Sequence, residues 1–73
     1  MKIEFTNHAK QRIFLERGIS VADIKQVIKS HQWKTILPGS KIKCGGMVDG
    51  GTLVVVYFID RKGIYVIVTA YFK

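Results

Sequence analysis

The sequence predicts one α+β domain over residues 1–73, with two N-terminal helices packed on one face of a twisted antiparallel sheet of about four strands. Three observations lead there. Apolar residues recur at helical spacing between Ala9 and Ile28. Thr52–Ile59 and Ile64–Phe72 are β-branched, aromatic-rich runs. Gly18 and the segment Asp60-Arg61-Lys62-Gly63 punctuate these two regions as a helix stop and a hairpin turn.

Taken in order, Lys2–Phe5 alternates charged and apolar residues and reads as a short edge strand leading into a helix. Thr6 or Asn7 offers a side-chain oxygen to the first free amides of that helix. Ala9, Ile13 and either Phe14 or Leu15 form its apolar face, with Lys10, Gln11 and Glu16 elsewhere around the cylinder. Gly18 closes it in a left-handed conformation, and Ile19 is the apolar residue of a Schellman-like end. Ser20 then caps a second helix, with Asp23 in its first turn. Its stripe is Val21, Ile24, Val27 and Ile28, and Lys25, Gln26 and Lys29 face water.

Trp33–Leu37 reads as a strand ended by the turn pair Pro38-Gly39. Ser40–Cys44 alternates, which puts Lys41 and Lys43 together on a wet face. Gly45-Gly46 and Asp49-Gly50-Gly51 suggest flexibility or a hairpin turn around Met47-Val48. For the last hairpin, a type I turn with Gly63 left-handed sets Tyr57 opposite Ile67 and Val55 opposite Thr69. The even face, Val54, Val56, Phe58, Ile64, Val66, Val68, Ala70 and Phe72, is then the one expected under the helices. The odd face, with Tyr57, Tyr65, Thr69 and Tyr71, is expected to be partly open.

Composition narrows the function. With 48% hydrophobic residues, the 73-residue chain can build one core and no second one. One cysteine, Cys44, excludes an internal disulfide framework, and with two histidines it leaves too few ligands for a structural zinc site. No cofactor or metal is expected. No apolar run has the roughly 20 residues of a membrane span, and the N-terminus has no secretory pattern, so a cytoplasmic location is expected. The net charge of +7 points to a polyanionic partner, nucleic acid first and an acidic protein second, with mere solubility as the plain alternative.

Polar residues of interest fall into three groups. His8 and Arg12 lie four apart on the first helix and share a face, with Arg17 at its end. Histidine titrates near neutrality and suits general acid–base work. Tyr57, Thr69 and Tyr71 offer hydroxyls and rings to phosphates, ribose and unpaired bases. Lys10, Lys41 and Lys43 supply cations for a phosphate backbone. Each group also has a plain structural reading: a surface histidine beside an arginine paired with Glu16, strand tyrosines used for packing, and a solvated lysine surface. Cys44 reads as buried and inert, since no base is placed beside it by sequence.

Phe5-Thr6-x-His8-Ala9-x-x-Arg12, Arg17-Gly18-Ile19-Ser20, the Val-Val-Val-Tyr strand and Val68-Thr69-Ala70-Tyr71 together resemble a family of small uncharacterised bacterial and archaeal proteins. That family is grouped with the RelE/ParE-like toxins of the barnase–EndoU–colicin–RelE ribonuclease assemblage. The resemblance spans nearly the whole chain, apart from Trp33–Gly51. It implies a toxin-like endoribonuclease that cleaves free or ribosome-bound RNA by metal-independent acid–base chemistry. Carried over onto this chain, it implies His8, Arg12, Thr69 and Tyr71 as catalytic residues and Arg17 on the phosphate, while Lys10, Lys41, Lys43 and Tyr57 are RNA-binding candidates from charge and strand facing alone. An antitoxin protein is the implied partner. The alternative is a non-catalytic basic module of the same fold that binds RNA or protein, and a homodimer through the sheet edge stays open.

Overall fold

Ile3 and Phe5 alternate with Lys2 and Glu4, and this two-residue period makes β1 (Ile3–Phe5) the opening strand. The computed structural model describes residues 1–73, with the side chain of Glu16 outside the described part. After β1 come α1 (Asn7–Lys10), a π-helical segment (Gln11–Glu16) and α2 (Val21–Lys29). Four more strands follow: β2 (Trp33–Leu37), β3 (Lys41–Val48), β4 (Gly51–Ile59) and β5 (Tyr65–Phe72).

The sheet has five strands in the order β1-β5-β4-β3-β2, and it is mixed. β2 through β5 pair antiparallel, but β1 pairs parallel with β5, Ile3 opposite Tyr65 and Phe5 opposite Ile67. This corrects the four-stranded antiparallel sheet expected from the sequence. Alternation says which side chains face the core, and it is the same whichever way the neighbouring strand runs. The direction of β1 is instead set by the helices. Thr6 N donates to Ile67 O at 3.4 Å, which starts α1 beside β5 so that Ala9 and Ile13 reach the core.

The first helix is also not the single α-helix expected between Thr6 and Gly18. Thr6 does cap it, its hydroxyl accepting from Ala9 N at 3.0 Å. From Gln11 the bonding widens: Arg17 N donates to Arg12 O at 3.1 Å, and Ile19 N to Ile13 O at 3.0 Å. An ordinary Schellman closure would reach back one residue less. The wider turn keeps Ile13 buried while Leu15 is 82% exposed, and it sets Phe14 edge-on to Phe5 with ring centroids 5.0 Å apart. Gly18, at φ +63°, makes the close that no β-branched residue would accept. In α2 the Ser20 hydroxyl accepts from Asp23 N at 3.1 Å, and Ile24, Val27 and Ile28 are buried as their spacing requires.

Both helices lie on one face of the sheet. Their buried residues join Cys44, Val48, Leu53, Val55, Tyr57, Ile67 and Ala70 in a single core. Gly46 lies beneath α2, where a Cβ would make ordinary contact with Ser30 O and Val27. Among the described residues, no helix is long and apolar enough to cross a membrane.

The hairpin faces are the second correction. The Asp60–Gly63 turn forms as expected, with Gly63 at φ +80°, Gly63 N donating to Asp60 O and Asp60 N to Ile64 O. Tyr57 accordingly pairs with Ile67. Beyond this pair the register slips: Val56 pairs with Thr69 and Val55 with Ala70, leaving Val68 as the extra residue of a β-bulge. The helices therefore cover the odd residues of β4 but switch from Ile67 to Ala70 on β5. Val54, Val56, Phe58, Thr69 and Tyr71 face the other way. Both faces of β4 are apolar, so composition alone does not choose between them. The turn in the glycine-rich stretch is likewise displaced. Gly45 and Gly46 lie within β3, and the chain reverses at Asp49-Gly50 rather than around Met47-Val48.

Candidate nucleic-acid interface

The helix-free face is built row by row from the strand register. One row runs Thr35, Lys43, Val56, Thr69, and the next runs Trp33, Gly45, Val54, Tyr71. Lys41 precedes Lys43 along β3 on this face and is exposed, while Lys43 is half-buried. The sequence expectation that these two lysines share a wet face matches the structure. Thr69 and Tyr71 also reach this face, carried there by the bulge at Val68.

Tyr57 does not. It is 4% exposed on the helix side, with its ring 5.4 Å from that of Tyr65. Burial pushes its hydroxyl pKa up, with the neighbouring Cys44 and Tyr65 adding to the effect. A ring enclosed by core residues is unable to stack on a base, so Tyr57 leaves the set of RNA-binding residues. Cys44 is fully buried, and burial raises its thiol pKa against a smaller opposing pull from Lys34.

Among the described residues of the set, Arg17, just after the helical segment, is bonded by its side chain to the sheet. Its Nη1 donates to Ala70 O at 2.9 Å and to the Thr69 hydroxyl at 3.4 Å. β5 extends past the end of β1, and there the guanidinium supplies a donor that β1 does not reach. His8, Lys10 and Arg12 are exposed on the helical segment. Among the described residues, no hydrogen bond joins His8 or Arg12 to Thr69 or Tyr71. The suggested pairing of an arginine with Glu16 lies outside the described residues.

Two residues that sequence reasoning did not select stand on the same face. Trp33 lies against Gly45, where a Cβ would collide with its Cε2, Cζ2 and Nε1 atoms. Lys73 places its Nζ over the Trp33 ring, 5.8 Å from the centroid. Their signal is a glycine inside a strand paired with an aromatic residue, which fills the space a missing side chain leaves. Among the described residues, the surface has no enclosed pocket, and no three His, Cys, Asp or Glu side chains gather in one place.

A small basic α+β domain with one helix-covered and one bare sheet face is the class of protein these features define. The chain belongs to the family described as a domain of unknown function, DUF4258, whose model matches residues 5–72. No curated protein and no solved structure matches it.

Proposed function

We propose that this protein binds RNA on the helix-free face of its sheet, as a member of the wider RelE/ParE-like group. The observation that carries the reading is the unequal use of the two faces. One is consumed by the core, and the other presents Lys41 and Lys43 on β3 and Thr69 and Tyr71 on β5, on either side of β4. A chain of net charge +7 attracts a phosphate backbone, and lysines along one strand suit a polymer that lies across the sheet. The test is binding of labelled RNA as salt is raised. Affinity should fall steeply and linearly on logarithmic axes, and a salt-insensitive or absent interaction rejects the reading.

A second reading, metal-independent RNA cleavage, is favoured by the anchoring of Arg17. A guanidinium bonded to Thr69 and Ala70 is already oriented for a phosphate oxygen. In this scheme a base takes the 2′-OH proton, the 2′-oxygen attacks phosphorus, and an acid protonates the departing 5′-oxygen. His8 is the acid or base, Arg12 and Arg17 neutralise the phosphate, and Thr69 and Tyr71 orient the substrate. Arg17 reaches round the sheet edge to Thr69, and the RNA would have to cross that same edge to meet His8 and Arg12 on the helical side. Cleavage by the wild type in EDTA, abolished in His8→Ala, supports it. Intact free and ribosome-bound RNA after prolonged incubation sinks it. An acidic antitoxin would be charge-complementary to the same face, and growth arrest on expression that is relieved by such a partner is the matching outcome in cells.

A further inference from the structure

We infer that Trp33 is a stacking platform for an unpaired base of the RNA, held in readiness by Gly45 beneath it and Lys73 above it. The inference rests on the RNA-binding reading and names the form of RNA it takes. Trp33 starts an edge strand, and its side chain reaches inward over β3 because residue 45 has no Cβ to exclude it. Val54, next in the row, is 1% exposed although no helix covers that face. The indole is thus part of the cover, yet Trp33 itself remains only half-buried.

Lys73 lies over the ring at 5.8 Å from the centroid. An exposed cation–π interaction of this kind is weaker than the stack of a base on an aromatic ring. A base arriving at Trp33 displaces the ammonium, which then meets the phosphate of the same nucleotide. Tyr71 ends the same row three strands away, about 14 Å at ordinary strand spacing. Lys43 and Thr69 in the adjacent row lie alongside the path between the two rings. Bases must be unpaired to stack in this way, so the site discriminates against duplex.

Trp33 is the chain's single tryptophan, so its emission reports on this site alone. The full chain is titrated with a short uridine-rich RNA strand carrying an end label, and separately with that strand annealed to its complement. Label anisotropy and Trp33 emission are read together. The single strand should quench Trp33 in step with the rise in anisotropy, and the duplex should bind on the order of tenfold more weakly. Trp33→Leu, which keeps an apolar cover, should weaken single-strand binding on the order of tenfold, while Trp33→Phe keeps most of it. Thermal unfolding checks that both variants fold, and if the leucine variant does not, the wild-type emission decides. A rise in anisotropy with unchanged Trp33 emission, or wild-type affinity in a folded Trp33→Leu, overturns the platform and leaves RNA binding standing. No anisotropy change at low salt overturns both.

Discussion

Arg17 and Ala70 are joined by a 2.9 Å hydrogen bond from guanidinium to backbone carbonyl, tying the end of the first helical segment to the free edge of β5. The bond lies where β1 has ended, so the carbonyl has no strand partner on that side. Arg17→Ala removes a charge-assisted donor from the carbonyl of a buried residue at the sheet edge, so the expected loss of stability is about 1–3 kcal/mol. Urea unfolding measures it. A loss within error of zero would mean that the guanidinium is held there only loosely, and the cleavage reading would lose its support.

Lys41 is exposed and Lys43 half-buried on the uncovered face, so replacing both by glutamate should cost on the order of 1 kcal/mol and leave the chain folded. RNA affinity should fall, and the slope of its logarithm against that of salt should become shallower by about 0.7 for every phosphate no longer neutralised. Unchanged slope and affinity in the folded double variant would remove these lysines from the interface.

Cys44 and Tyr57 have pKa values raised above their ordinary 9.0 and 10.0, burial being the first cause in each case. Both groups are neutral when protonated, so the folded state holds its protons where the unfolded chain has begun to release them. Their contribution is fully present below about pH 9 and is lost as pH rises through the raised folded values. Stability measured by urea titration should therefore decline in the alkaline range. Tyr57→Phe and Cys44→Ala should flatten the decline, and a wild-type curve level to beyond the tyrosine range would contradict the assignment. The Cys44 thiol should likewise react with an alkylating agent only through unfolding.

Val68 is the additional residue that lets β5 present Ile67 and then Ala70 to the helices. Deleting it restores strict alternation from the turn onward. Ile67 and Thr69 then become neighbours, so Thr69 and Tyr71 stay on the helix-free face and Ala70 stays in the core, and cooperative unfolding should persist. Near-ultraviolet circular dichroism of the deletion reads this directly. A native-like spectrum with stability within about 1 kcal/mol of wild type is the expected result, and a lost spectrum would show that Val68 does more than set which residues face the core.

Much of this architecture is written in short-range chemistry. Thr6, Gly18, Ser20 and the Asp60–Gly63 turn each satisfy a local hydrogen-bonding or backbone requirement, and each does in the fold what its residue type suggests. What is not legible depends on distant partners. The direction of β1 depends on where α1 must begin, and the widened helix depends on fitting Ile13 and Ile19 into one core. Which residues of β5 beyond Ile67 face the helices is decided by a bulge within a run of residues apolar on both faces. The candidate surface follows the same division. Lys41 and Lys43 can be paired from alternation alone, whereas Thr69 and Tyr71 reach that face through Val68, and Tyr57 goes to the core. Trp33 is hidden in the sequence because its counterpart is a glycine, a residue that shows what it accommodates only when the strands are side by side.

The adjacency of β1 and β5 has a kinetic consequence. The β2–β3, β3–β4 and β4–β5 pairs each join neighbours in sequence, so they close short loops and form at small entropic cost. β1 must wait for the opposite end of the chain, and its pairing with Tyr65–Ile67 closes the longest loop in the molecule. Refolding should accordingly pass through the meander first, with the N-terminal strand and its helix arriving last. Amides of β1 should then gain protection from exchange later than those of β3 and β4. During that interval the future core face of the meander is open to solvent, and it is then that the protein is most exposed to association with other chains.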